Sequence, residues 1–194
     1  MENKNKEFSY PEMVQALCKP GACVISGMNP ATAHSLHMAV GVSGEVGEIL
    51  EIVGGWIPPE SLATPTREAL IKECGDIEFY LQGFVGAWWG VDPVRNTCSS
   101  DSSYPPIHLP IHASVLLDYA KRISIYEMPR SKHMEDRAAM AIACLHDCLH
   151  VLYKRYRISR SHVLEKNREK LQKRYDKGRF TTTDANERKD GEKL

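Results

Sequence analysis

The sequence predicts an all-α protein, and three observations lead to that prediction. Apolar residues recur at helical spacing over long segments, as in LHMAVGVSGEVGEILEIV. Strand-like alternation of apolar and polar residues is not sustained in any segment. Asn29-Pro30 and Thr64-Pro65 are helix-start signals, because Asn and Thr can cap a helix and Pro is favoured at its first position. We therefore expect a helical bundle.

The same signals place six helices along the chain. The first long helix is expected at Pro30–Val53, where Gly54-Gly55 ends it, and the second at about 64–89. The other four are expected at 10–17, 111–126, 132–157 and from Ser159 or Ser161 to residue 175. The Lys19-Pro20-Gly21 step is expected to be a turn.

The domain organisation follows from length and composition. With 194 residues, the chain is long enough for one domain with a substantial core, which we place at residues 1–180. Residues 91–156 form an insertion within it, containing a proline- and serine-rich loop and a helical hairpin. Residues 181–194 are polar and are expected to be a disordered tail.

The bulk properties favour a cytoplasmic protein without a membrane partner. No apolar run is long enough to span a bilayer, and the N-terminal MENKNKEFSY lacks the apolar segment of a secretory signal. The six cysteines lack a convincing zinc-type spacing, which fits a reducing compartment. The net formal charge is zero, so bulk electrostatics do not indicate a nucleic-acid partner.

Two short acidic patterns are the candidate functional feature. Glu45 and Glu48 lie three residues apart in the first long helix, as do Glu73 and Asp76 in the second. A three-residue step places two side chains on one helix face. On facing helices the four carboxylates would meet beside apolar residues, which is unfavourable without a compensating cation. An all-oxygen ligand set suits a hard cation, so we predict Mg²⁺, with Mn²⁺ as a substitute.

Magnesium sites usually combine carboxylates with substrate phosphates, which indicates hydrolysis of a phosphate ester or phosphoanhydride. Three glycines flank the first acidic pair, at Gly41, Gly44 and Gly47. Each mid-helix glycine costs about 1 kcal/mol relative to alanine. We therefore expect a second backbone, or a ligand, to approach this helix closely.

The final helix carries a cationic face. Residues 154–179 contain eleven Lys or Arg against three Asp or Glu. Asn167, Lys170, either Lys173 or Arg174, and Lys177 recur at helical spacing. Taken alone, such a face is a solvated surface or a nucleic-acid patch. Together with an acidic metal site it could instead bind phosphate.

In this order the motifs resemble those of the MazG-like nucleoside triphosphate pyrophosphohydrolases. These belong to the all-α NTP pyrophosphatase superfamily, with the dimeric dUTPases and the dCTP pyrophosphatases. The resemblance is carried by Glu45-x-x-Glu48, by Glu73-x-x-Asp76, and by Asn167-x-x-Lys170-Leu171 with Arg174-Tyr175 and Phe180. It covers residues 34–89 and 158–180, which correspond to the family's two metal-binding helices and its final helix.

The resemblance implies Mg²⁺-dependent hydrolysis of a (deoxy)nucleoside triphosphate to the monophosphate and pyrophosphate, in control of the nucleotide pool. It implies a homodimer or homotetramer. It also implies that the acidic residues are catalytic and hold the metal, and that three residues of the final helix bind the substrate. The acidic set is Glu45, Glu48, Glu73 and Asp76, and the substrate-binding set is Asn167, Lys170 and Arg174. Glu48 could orient the attacking water.

The chain departs from the family pattern in two places. Gly44 precedes Glu45, where many relatives have two adjacent acids. The insertion at 91–156 separates the second acidic helix from the final helix, and it could cover the nucleotide pocket or build an oligomer interface. Two further substrate-binding candidates come from the residues themselves: His37, one or two turns before Glu45, and the loop residue Trp56, which could stack on a base.

Other interpretations remain. The chain could be a non-catalytic helical protein that binds a protein or nucleic-acid partner through its basic final helix. Cys144-Leu-His146-Asp147-Cys148-Leu-His150 invites a zinc site, but its cysteines and its histidines lie on nearly opposite helix faces. We expect buried cysteines and partly exposed histidines there. The His-Asp step within it also suggests a metal phosphohydrolase dyad, but no matching upstream His and downstream Asp is obvious.

Overall fold

The computed structural model describes residues 9–53, 64–88 and 106–191, and every regular element in these ranges is helical. The predicted all-α fold class is thereby confirmed. The helices are α1 (Tyr10–Leu17), α2 (Gly21–Gly27), α3 (Pro30–Val53), α4 (Thr64–Trp88), α5 (Leu109–Ser124), α6 (Lys132–Tyr156), α7 (Arg160–Arg174) and α8 (Thr182–Glu187), with a 3-10 turn at Pro106–His108. Within these ranges, no helix has both the length and the apolar character needed to cross a membrane.

The centre of the bundle is the antiparallel pair α3 and α4. Gly41, in the first half of α3, lies against the ring of Tyr80 in the second half of α4. Glu45, further along α3, lies near Asp76, which is earlier in α4. The apolar faces predicted for these helices are buried. They comprise Met38, Val42, Val46 and Ile49 on α3 and Leu70, Ile77, Leu81 and Phe84 on α4.

The helices α5 and α6 complete the core. α5 packs against α3, where the Ser124 hydroxyl donates a hydrogen bond to the carbonyl oxygen of Thr32 at 2.8 Å. α6 packs against α5 and contributes Leu145, Leu149 and Leu152, which are buried. The hairpin predicted as an insertion therefore forms part of the hydrophobic core.

Local capping explains where the helices begin. The Asn29 side-chain oxygen accepts a hydrogen bond from the Thr32 amide at 3.0 Å, as predicted for the start of α3. For α7 the sequence offered two candidate N-cap residues, Ser159 and Ser161, and the N-cap is Ser159. Its hydroxyl accepts from the His162 amide at 3.2 Å, which satisfies one of the unpaired first-turn donors.

Two predicted boundaries are corrected. The turn expected at Lys19-Pro20-Gly21 leads directly into α2, a helix that the sequence analysis did not predict, with Pro20 as its N-cap. α5 begins at Leu109, two residues earlier than expected, since its first turn accepts Pro110, whose missing N–H is not needed there. The predicted end of the second long helix at residue 89 lies outside the described residues.

The described part of the tail that was expected to be disordered, residues 181–191, contains α8. The Thr181 hydroxyl accepts from the Asp184 amide at 3.0 Å and caps the helix. Lys189 donates to the buried Asp184 carboxylate at 2.9 Å. A polar composition predicts disorder only if the charges stay solvated. Here they pair with one another, and the segment folds back onto the domain.

Gly41 of α3 has a reason other than a second backbone, and the expectation that a ligand approaches Gly44 and Gly47 stays a prediction. A Cβ at Gly41 would clash with the ring of Tyr80, so this glycine admits a side chain rather than a second backbone. A Cβ at Gly44 or Gly47 would meet no described atom within 4 Å. The close helix approach occurs elsewhere, at Gly75 of α4.

Gly75 is the point at which α7 comes closest to α4. A Cβ there would lie 2.8 Å from the Cβ of Asn167, which cannot move without its helix. We expect Gly75→Ala to destabilise the fold by about 1 kcal/mol, as about 1–3 kcal/mol of overpacking is partly offset by about 1 kcal/mol of helix propensity. Chemical denaturation measures this free energy of unfolding.

Gly44→Ala is the matched control. It adds the same methyl group to a neighbouring helix where no described atom is near. We expect it to stabilise the protein by about 0.5–1 kcal/mol through helix propensity alone. Equal effects of the two substitutions would contradict the close contact between α4 and α7.

A buried carboxylate, Glu78, ties three helices together. Its side chain on α4 is 3% exposed. Arg160, at the start of α7, donates from Nε to Oε1 and from Nη2 to Oε2, both at 2.7 Å. The Tyr153 hydroxyl of α6 donates to Oε1 at 3.1 Å. Paired, two-point hydrogen bonding of this kind makes burial of the charge tolerable.

We expect Arg160→Ala to cost about 2 kcal/mol of unfolding free energy, because it leaves the Glu78 carboxylate buried without its cation. Thermal and denaturant unfolding measure the loss. The control is Lys132→Ala, which removes an ion pair to Asp136 whose side chains are 86% and 62% exposed. It should leave stability unchanged. An Arg160→Ala variant as stable as the wild type would contradict the anchoring role.

Candidate metal centre

The four predicted acidic residues lie in one cleft between α3, α4 and α7. The ligand oxygens of Glu45, Glu73 and Asp76 lie within 4.8 Å of one another, and the described residues contain no other group of Asp, Glu, His or Cys placed in this way. Glu48 is more exposed and lines the same cleft, whose volume is about 480 Å³. The antiparallel pairing of α3 and α4 thus brings both acidic patterns to one place.

The carboxylates strongly perturb one another. Burial, followed by the charges of Asp76, Glu48 and Glu73, raises the pKa of Glu45 from an ordinary 4.5 to about 8. Burial also raises the pKa of Glu73, although Lys72 donates a hydrogen bond to it at 3.1 Å and opposes the shift. The second oxygen of Glu73, Oε2, is buried and has no hydrogen-bond partner. For Glu73 the effect of burial on the pKa outweighs the opposing effect of Lys72.

The predicted substrate-binding residues of α7 meet the acids at Asp76. The Asn167 amide nitrogen donates to Asp76 Oδ1 at 2.7 Å, and the Lys170 ammonium donates to the same oxygen at 2.6 Å and also to Oδ2. Both α7 side chains are largely shielded from solvent. The cationic face of α7 is therefore directed, at its centre, towards the carboxylates.

Arg174 also lines the cleft, and it is held by the C-terminal segment. Its Nε donates to Asp190 Oδ2 at 3.0 Å, and its Nη2 donates to the same oxygen. The Asp190 side chain is 2% exposed. Arg174 is thus placed at the site as predicted, through a partner in the segment that had been expected to be disordered.

Of the other predicted substrate-binding residues, Asn167 and Lys170 line a neighbouring pocket of about 370 Å³ instead of the cleft itself. His37 lines an adjacent groove of about 860 Å³, where its ring lies edge-on to Tyr80 with centroids 6.1 Å apart. Trp56 lies outside the described residues. The groove and the cleft share Tyr80, Phe79 and Tyr175, so a ligand that enters both would contact these aromatic residues.

Sequence reasoning missed four residues that line the cleft, Lys72, Phe79, Tyr80 and Arg188. Tyr80 follows Asp76 by four residues, and helical spacing was the available signal. Lys72 precedes Glu73 directly and could have been noted as its neighbour. Arg188 had no signal in the sequence, because it reaches the site only through the fold of the C-terminal segment.

The alternative zinc cluster on α6 is not assembled in the described residues. Cys144 and Cys148 are buried, as expected. His146 is also buried, which corrects the expectation of partly exposed histidines, and its Nδ1 lies 4.0 Å from Glu78 Oε2. His150 is exposed. The cysteines therefore belong to the packing of α6.

The chain matches no protein-family model, no curated protein and no solved structure. The class of site is therefore defined by its geometry alone, as a carboxylate cluster faced by amide, ammonium and guanidinium donors. The resemblance to MazG-like enzymes stays a prediction based on the motifs.

The stability of the metal-free protein should decrease as pH rises from about 5 to 8. In this interval folded Glu45 retains a proton that the unfolded chain has released, so the folded state binds more protons. Thermal unfolding in EDTA across this range measures the slope. Glu45→Gln should flatten it, whereas Glu51→Gln, at an exposed position of α3 outside the cleft, should not. A wild-type stability that rises towards pH 8 relative to Glu45→Gln would contradict the expectation.

Proposed function

We propose that this chain is a Mg²⁺-dependent nucleoside triphosphate pyrophosphohydrolase of the MazG-like kind. The observation that carries the proposal is the position of Asp76. It belongs to a cluster of acidic side chains on α3 and α4 and also accepts hydrogen bonds from Asn167 and Lys170 of α7. Carboxylates for a cation thus lie next to donors for phosphate oxygens, with Asn167 and Lys170 at Asp76 and Arg174 in the lining of the cleft.

The carboxylates fit a hard divalent cation on three grounds. The donor set is all oxygen, the oxygens of Glu45, Glu73 and Asp76 lie within 4.8 Å of one another, and Glu73 Oε2 is buried without a hydrogen-bond partner. We assign Glu45, Glu48, Glu73 and Asp76 as ligands of Mg²⁺, with Mn²⁺ as a substitute. When bound, the ion neutralises phosphate oxygens and increases the acidity of water.

The proposed reaction is hydrolysis between the α- and β-phosphates. The oxygen of water bonds to the α-phosphorus, the bond from that phosphorus to the bridging oxygen breaks, and pyrophosphate leaves with the bridging electron pair. A carboxylate must orient the water and accept its proton. We assign this role to Glu48, which is the most exposed of the four acids and lies outside the closely spaced set of three.

The other residues of the cleft and groove would hold the substrate. Lys170 and Asn167 supply N–H donors and Arg174 a guanidinium, the groups that suit phosphate oxygens. The adjacent groove, lined by Tyr80, His37 and other apolar or aromatic residues, suits a flat nucleobase.

The proposal also includes a cellular compartment and an oligomeric state. A nucleotide-pool enzyme of this class would work in the cytoplasm as a homodimer or homotetramer, as the resemblance implies. The five described cysteines, Cys18, Cys23, Cys74, Cys144 and Cys148, are free thiols, which supports a reducing compartment.

The test is release of pyrophosphate from a panel of ribo- and deoxyribonucleoside triphosphates, with Mg²⁺ and with EDTA. We expect turnover that requires the metal. Glu48→Gln should lower kcat about 100-fold or more, the usual loss for a general base, and Asp76→Asn should lower it further by also disturbing Asn167 and Lys170. Glu51→Gln, on the same helix as Glu48, is the control and should retain full activity.

Absence of turnover with every triphosphate at high protein concentration would refute the enzymatic proposal. Full activity of both acidic variants would remove these residues from the site. Salt-sensitive binding of DNA or RNA that depends on Lys170, Lys173 and Arg174, without turnover, would instead favour the nucleic-acid-binding interpretation.

A further inference from the structure

Arg188 enters the carboxylate cleft from the C-terminal segment. It follows α8 directly and lines the same cleft as Glu45, Glu48, Glu73 and Asp76. We propose that Arg188 is a substrate-binding residue that contacts a phosphate group of the triphosphate. This inference rests on the proposed function and adds to it a residue from outside the motifs that resemble the family.

The segment that carries Arg188 is anchored on both sides. Before it, Thr181 caps α8. The buried Asp184 of α8 accepts a hydrogen bond at 2.9 Å from Lys189, the residue that follows Arg188. After it, the buried Asp190 accepts two hydrogen bonds from Arg174 of α7. Burial alone would raise the pKa of Asp190, but the hydrogen bonds from Arg174 and the charge of Arg188 hold it below the usual range. Asp190 therefore stays ionised and holds the segment at the edge of the cleft.

The backbone conformation at Arg188 is one that a residue other than glycine adopts only at a cost. Its φ is 48°, in the left-handed region at the end of α8, where glycine is the usual residue. A non-glycine residue there costs about 1 kcal/mol or more. The neighbouring anchors compensate for this cost, and the result is a long cationic side chain in the lining of the cleft rather than a glycine.

The charge of the site explains why an arginine would be needed. A triphosphate adds negative charge to a cleft that already contains four carboxylates, and the Lys170 ammonium is hydrogen-bonded to Asp76. A guanidinium presents two parallel N–H donors to a phosphate and keeps its charge at every working pH. Arg188 supplies such a group from an element other than α3, α4 or α7.

The experiment measures binding of a nonhydrolysable triphosphate, with a methylene group between the α- and β-phosphorus atoms, by calorimetry in Mg²⁺. We expect Arg188→Ala to weaken its affinity about 10- to 100-fold, the range for a lost charge-assisted hydrogen bond. Arg188→Lys should recover part of the loss, because the charge returns without the planar fork. With hydrolysable substrate, KM should rise more than kcat falls.

Arg157→Ala is the matched control. Arg157 is an exposed arginine with φ 52° that also ends a helix, α6, and it lies outside the cleft. It should bind the triphosphate as the wild type does. Thermal unfolding of each variant, and binding of Mg²⁺ alone, should be unchanged, which separates loss of a ligand contact from loss of structure.

The possible outcomes separate the two proposals. If the wild type binds and hydrolyses the triphosphate and Arg188→Ala binds it equally well, the role of Arg188 is refuted while the proposed function stands. If the wild type neither binds nor hydrolyses it, both fall. If Arg188→Ala is unstable, the Arg188→Lys variant decides, because affinity equal to that of the wild type would exclude recognition by the planar guanidinium.

Discussion

Asp76 accepts hydrogen bonds from Asn167 and from Lys170, and this contact joins α7 to the acidic helices. Gly75, the residue before it, lets the two helices approach closely enough for the short Asn167 side chain to reach the carboxylate. Because Asp76 also belongs to the group of three closely spaced acids, the same residue sets the distance between the negative and the positive sides of the cleft.

The rest of the bundle keeps this contact in place. Two residues after Asp76, the buried Glu78 binds Arg160 at the start of α7, so α7 is attached to α4 at two points. The core formed by α3, α4, α5 and α6 lies beneath, and no described residue of α5 or α6 lines the cleft. Packing energy and site chemistry are therefore carried by different faces of the same long helices. This separation lets the acids stay crowded, with raised pKa values at Glu45 and Glu73, on a stable support.

The C-terminal segment shows how charge pairing can reverse an inference from composition. Its residues are polar, and polarity alone predicted disorder. In the fold, Asp190 pairs with Arg174 and Lys189 pairs with Asp184. Each pair brings together opposite charges that composition alone treats only as polar residues. The segment thereby closes one side of the cleft and adds Arg188 to its lining.

From the sequence alone, the helix positions could be predicted to within about two residues for most helices, and the four acidic residues could be assigned to one site. Both depend on local properties: helical periodicity, caps, and the three-residue step within each acidic pattern. The position of His37 in the adjacent groove, the order of α8 and the arrival of Arg188 could not be predicted in this way. They depend on contacts between residues far apart in the chain, and only the packing of the helices determines which of those residues meet.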